Sequence, residues 1–265
     1  MNIYSLIVLL ILYFVPSFLF GQEIGKWRAG SANKLEGNVY TISCFISDTS
    51  NEWQYDEKVD ILKKVDTSAN WLTQQAAKNN TILHFSNGTI GLTNDIKQSQ
   101  LERGTASGKE RVDLISLVLA QNGYNNPIAL CDSIFANTKC KNVQILLFAK
   151  GNGNGYSMTY SSEMNKELYF VEGAILYEKY WNNYKLAPAS IAHEILHLYA
   201  AWDFYKTFQQ SEEHQNKAMQ LFPNSIMLRT AFNIDELNVD EVTALLVGWS
   251  NSPKEWYESF RPNNN

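Results

Sequence analysis

The chain has 265 residues, a net charge of −5 from 22 Lys and Arg against 27 Asp and Glu, and three cysteines. That length suits one domain with a full core, or a large and a small lobe around a cleft. The acidic balance and the lack of any dense Lys/Arg block exclude a nucleic-acid or anionic-lipid surface, and three cysteines are too few for a disulfide framework.

Tyr4 to Val15 form an unbroken apolar run, followed by Pro16, Ser17 and Phe18-Leu19-Phe20-Gly21 before polar Gln22-Glu23. This reads as a signal peptide over residues 1–21, which predicts a secreted or periplasmic protein of residues 22–265. Retained, the same run would serve as a membrane anchor. No later stretch is long and apolar enough to span a bilayer. After export Cys131 and Cys140 could pair across a short loop; otherwise all three cysteines are buried thiols. Asn79-Asn80-Thr81 and Asn87-Gly88-Thr89 match the glycosylation sequon, which has meaning only in a eukaryotic host.

A polar lead of about fifteen residues is followed by Tyr40, Ile42, Cys44 and Ile46 alternating with Thr41, Ser43 and Phe45, a period of two that predicts a strand. Ile61, Leu62, Val65, Ala69, Leu72 and Ala76 recur at helical spacing. Thr81 to Phe85 predicts a second strand, and Val112, Ile115 and Leu119 a helix closed by Gly123. Val143 to Ala149 predicts a buried strand that runs into a flexible glycine loop, Gly151 to Gly155. Leu168 to Tyr177 predicts a further strand or hairpin, and Pro188-Ala189-Ser190 opens a helix. Strands alternating with helices, then a mostly helical remainder, predict an α/β (α+β) chain with a mixed twisted sheet: one domain, its upper lobe about 37–200 and its lower lobe about 201–265.

The helix after Pro188 carries His193, Glu194 and His197 in HExxH spacing. Residues four apart lie about one turn apart, so both imidazoles can share one Zn2+ ion while Glu194 sits beside an open coordination position. Three protein ligands leave room for a water that zinc acidifies, and Glu194 would act as general base in hydrolysis of a peptide bond. Asp203 is the candidate third ligand. On an uninterrupted helix it would point about 80° away from His193, so the helix has to break near Ala200. A left-handed turn without glycine costs on the order of 1 kcal/mol, which metal binding can offset. His214 is an alternative ligand, as are Glu236 and Glu241 on the plan of thermolysin-like enzymes.

The string His193-Glu194-Ile195-Leu196-His197, with Asp203 beyond it and Ser225-Ile226-Met227 downstream, resembles the metzincin metallopeptidases, and their snapalysin-like branch in the aspartate ligand. Ala200 stands where that family has glycine. The resemblance implies a zincin fold, a secreted zinc endopeptidase, and a methionine turn at Met227 beneath the metal. It also implies that Val143 to Ala149 is the edge strand, with Ile145, Leu147 and Ala149 along the substrate, and that Leu228 and Arg229 wall the specificity pocket. For Arg229 a solvated or salt-bridged side chain is the competing reading. Asn238 to Trp249 would be the helix that closes the domain, and Tyr205 either assists the oxyanion or packs. An aspartate ligand leaves the metal centre less positive, which predicts a pH optimum at or above neutral. The expected partner is a peptide or protein substrate; since no cysteine in the lead can cap the zinc, either the enzyme is made active or an external protein inhibitor controls it. The other class of function is a secreted binding or scaffold protein with a structural zinc.

Overall fold

The structure is a computed structural model and describes residue 28 and residues 30–47, 51–97, 108–124, 127–159, 171–180 and 182–262. Residues 1–21, whose sequence reads as a signal peptide, lie outside the described residues. Among those residues no helix is long and apolar enough to cross a membrane.

A six-stranded mixed sheet organises the molecule. Its strands are β1 (Gly37–Ser47), β2 (Leu83–Ile90), β3 (Ile96–Lys97), β4 (Asn142–Asn152), β5 (Tyr156–Met158) and β6 (Gly173–Lys179). The order is β2-β1-β4-β6-β5, with β3 also paired to β1. All pairings are parallel except that of β5 with β6. Parallel strands need crossovers: α1 (Tyr55–Lys78) links β1 to β2, and α2 (Gly108–Gln121) with α3 (Pro127–Thr138) links β3 to β4, while α4 (Pro188–Leu198) follows the last strand.

The alternation of side chains along the strands divides the core in two. Val39, Phe45, Leu146, Phe148, Ala174 and Leu176 face Ile61, Val65 and Leu72 of α1 and Ile191, Ala192 and Ile195 of α4. Ile42, Cys44, Ile46, Ile145, Leu147, Ala149 and Ile175 face Val118 and Leu119 of α2 and Leu130 and Ile134 of α3. The first cluster continues through Met227, Val242 and Leu246 to Phe260, so one apolar core joins the sheet to the C-terminal segments. Those segments are α5 (Glu212–Leu221), α6 (Glu241–Leu246) and two short 3-10 turns, Ile234–Glu236 and Glu255–Phe260.

Several expectations change. Val143 to Ala149 is no edge: β4 lies between β1 and β6, and Ile145, Leu147 and Ala149 are fully buried against the helices on the far side from α4. Apolar residues on both faces suit an interior parallel position, and the one polar exception between Val143 and Ala149, the buried Gln144, donates to Thr41 Oγ1 at 2.9 Å. The free edge on the α4 side belongs to the three-residue β5. The closing helix is a single stretch of six residues, stopped by Gly248 at φ 95°. Cys44, Cys131 and Cys140 are buried thiols outside any disulfide, so Cys131 and Cys140 are not joined. The lead is also less polar in its role than in its composition. Arg28 donates to the carbonyls of Leu245 and Leu246, Leu35 N–H donates to Val247 O at 2.9 Å, and Trp249 Nε1–H to Leu35 O at 2.6 Å.

Candidate metal centre

Helix α4 opens with Pro188 at its first turn and buries Ile191, Ala192, Ile195 and Leu196 in the core. That anchoring aims His193, Glu194 and His197 at the cleft. The helix stops at Leu198, and the chain reverses through a Schellman arrangement: Ala200 N–H donates to His197 O at 3.0 Å and Ala201 N–H to Leu196 O at 3.2 Å. Ala200 takes φ 70°, the left-handed value that glycine adopts without strain. The break returns Asp203 to the two histidines.

His193 Nε2, His197 Nε2 and Asp203 Oδ1 form a nearly equilateral triangle. The two nitrogens are 3.1 Å apart, and the carboxylate oxygen is 3.1 Å from His197 and 3.3 Å from His193. The outer ring nitrogens are both committed: His193 Nδ1–H donates to Ile226 O at 2.9 Å and His197 Nδ1–H to Ala201 O at 2.8 Å. Those bonds fix the tautomer that leaves each Nε2 as a lone pair, the arrangement that prepares a histidine for metal. Three acceptors then face one another with no hydrogen between them. A tetrahedral ion with bonds of about 2.0–2.1 Å separates its ligands by about 3.3 Å, so the triangle fits one such ion.

Without an ion a proton relieves the same conflict. Burial lowers the His197 imidazole, but the Asp203 carboxylate outweighs it and pushes the pKa up to about 9. Burial works against the Asp203 charge as well, yet the two imidazoles hold it well below the usual carboxylate range. In either state the cluster demands a positive charge at its centre.

The downstream turn supports this triangle through its backbone. Ile226 O orients His193, and Met227 O accepts from Phe204 N–H, next to Asp203, at 2.8 Å. The turn is itself tied down: Ser225 Oγ donates to Asp240 Oδ2 at 2.7 Å and accepts from Met227 N–H at 3.1 Å. Met227 is fully buried and belongs to the core cluster. Asp240 was missing from the sequence-based site, although an aspartate just before Glu241-Val242-Thr243 is a readable helix cap. Its partner, Ser225, lies in a different segment and could not be read.

Glu194 has a neighbour that sequence reasoning also missed. Ser157, on the edge strand β5, lies with its Oγ 2.7 Å from Glu194 Oε2 and 2.8 Å from Glu194 O. Its hydroxyl therefore fixes the carboxylate to the free edge of the sheet. Tyr205 stacks on His193 with ring centroids 6.1 Å apart. Burial, then the Asp203 and Glu194 carboxylates, raise its phenol far above the ordinary value, so it remains a hydrogen-bond donor. The other candidate ligands lie elsewhere. His214 Nδ1 is 2.6 Å from Gln210 Oε1, and Glu241 accepts from Tyr257 and Lys254. Among the described residues His193, His197 and Asp203 are the cluster that could hold a metal.

No protein-family model matches the chain, and no curated protein is significantly similar to it.

Two cavities flank Glu194. One of about 390 Å³ is lined by Tyr156, Ser157, Thr159, His197, Asp203 and Phe208. The other, of about 740 Å³, is lined by His193, Tyr180, Tyr184, Leu228, Arg229 and Phe232. Leu228 and Arg229 thus border this second cavity. An extended chain lying along β5 would cross between the cavities with Glu194 beneath it.

Proposed function

We propose that this protein is a zinc-dependent endopeptidase of metzincin type, exported by way of residues 1–21. The observation that carries the reading is the triangle of three acceptors at 3.1–3.3 Å, with a carboxylate fixed beside it by Ser157. His193, His197 and Asp203 would hold the ion. When bound, zinc would supply Lewis acidity toward a water and a peptide carbonyl. Glu194 would accept the proton of the attacking water and return it to the leaving amine. Ser157 would keep the Glu194 carboxylate turned toward the reacting atoms, and the Tyr205 hydroxyl is a candidate donor to the developing oxyanion. The free edge of β5 would bind the substrate backbone by main-chain hydrogen bonds.

A structural-zinc scaffold is the competing reading. A structural site has four protein ligands as a rule and no use for a general base, whereas among the described residues three candidate ligands lie together with Glu194 beside them. Metal analysis combined with cleavage of a peptide library by wild type and Glu194→Ala separates the two. The peptidase reading expects one zinc per chain in both proteins and a drop in kcat of roughly 10²–10⁴-fold in the variant. Stoichiometric zinc with no Glu194-dependent cleavage would establish the scaffold instead.

A further inference from the structure

Two cations line the larger cavity, and among the described residues no carboxylate pairs with either. Lys185 and Arg229 both line it, and the one acidic residue among its walls is Glu194, at the catalytic end. Neither cation has an ion pair among the described residues. Arg229 gives one Nη2–H to the neutral amide oxygen of Asn224 at 3.0 Å, which leaves the rest of the guanidinium available. In the smaller cavity, by contrast, the lining cation Arg261 is already paired with Glu258 at 2.9 Å.

Both cations rest on ordered backbone. Arg229 N–H donates to Ser225 O within the turn that orients His193, and Lys185 forms a bridge with Lys179 at the end of β6. At the mouth the rings of Tyr184 and Phe232 meet edge to face, with centroids 5.7 Å apart. They remain 57% and 77% exposed, a large apolar surface to leave in water. Such walls would cover the methylene groups of an entering side chain and shield its charge from solvent, which strengthens its attraction to the cations.

The direction of a bound peptide follows from β5. Among the described residues its outer edge has no strand partner, and antiparallel pairing is the more stable ladder per residue. A peptide antiparallel to β5 passes Ser157 and Thr159 with its N-terminal half and Asn154 and Gly155 with its C-terminal half. Asn154 lines the larger cavity and Thr159 the smaller.

We propose that the cavity beside His193 selects substrates with aspartate or glutamate immediately after the scissile bond, held between Lys185 and Arg229. This rests on the peptidase reading and names its substrate class. The test uses zinc-loaded protein and peptides that differ only at that position: Asp, Asn or Lys. Wild type is expected to favour Asp over Asn by about tenfold in kcat/KM, a margin that shrinks as salt rises, and to disfavour Lys further. Lys185→Glu/Arg229→Glu, with unchanged zinc content, is expected to prefer Lys over Asp. Fluorescence anisotropy of the same peptides on Glu194→Ala protein gives a readout free of turnover, and the same order of affinities is expected. Equal handling of Asp and Lys by wild type, or an Asp preference that survives the double reversal, overturns the inference and leaves the peptidase intact. Failure of Glu194-dependent cleavage for every peptide overturns both.

Discussion

The half-buried Asp203 and the buried Asp240 lie on either side of the Ser225-Ile226-Met227 turn, and their surroundings are opposite in kind. Asp240 collects donors: Val242 and Thr243 N–H on Oδ1, and the Ser225 and Thr243 hydroxyls on Oδ2, at 2.7–3.0 Å. Burial raises its pKa, and every lone pair that matters is matched. Asp203 collects acceptors, two imidazole nitrogens whose own protons point outward to carbonyls. The first environment is complete and fastens a turn to a helix, whereas the second is suited to a cation. A close-packed polar group with its donors in place is architecture; one that faces other acceptors is a candidate metal site.

The largest expected break in this comparison is metal removal. Zinc at a thousand times its dissociation constant stabilises a folded state by about 4 kcal/mol. Urea unfolding of wild type with zinc and with chelator is expected to differ by that order, whereas Asp203→Ala should show little of the difference. A variant that responds to zinc as wild type does would remove Asp203 from the ligand set.

Asp240→Ala tests the other side. It strips an acceptor from two buried hydroxyls and two N–H groups at the start of α6, at a cost of about 3 kcal/mol. The loss should appear with and without zinc, because the network is complete in itself. Zinc affinity is also expected to fall, by about 10–100-fold, since Ser225 fixes the turn whose Ile226 carbonyl orients His193. Unchanged stability would mean that water replaces the carboxylate freely and that the contrast is overstated.

These residues also show which parts of the molecule could be read from sequence. The ligand spacing is local, so His193, Glu194 and His197 were visible as one helical face, and the geometry of a continuous helix required a break before Asp203. The α+β alternation was visible for the same reason, since hydrophobic periods are short-range. Strand order is not local. Val143 to Phe148 is apolar on both faces, the mark of an interior strand, but the family resemblance directed attention to it as an edge. The true edge, Tyr156 to Met158, is too short to display a period, and it follows a glycine-rich loop. Nothing near Ser157 in sequence indicates that it meets Glu194, and nothing near Ser225 indicates Asp240. Both contacts are products of tertiary packing.

The smallest expected effect concerns the residue that makes the Asp203 environment possible. Ala200 holds φ 70°, where a Cβ costs about 1–2 kcal/mol, so Ala200→Gly removes that strain. Glycine also frees the unfolded chain, which takes back about 0.5–1 kcal/mol. A net gain of about 0.5–1 kcal/mol is therefore expected in the urea midpoint at unchanged slope. Measured with and without zinc, it separates two causes of the turn. The Schellman bonds of Ala200 and Ala201 and the donation from His197 to Ala201 O need no metal. If they hold the turn, glycine stabilises both forms equally. A gain seen only with zinc would mean that the ion itself bends the chain, and that the three acceptors meet only when it is there.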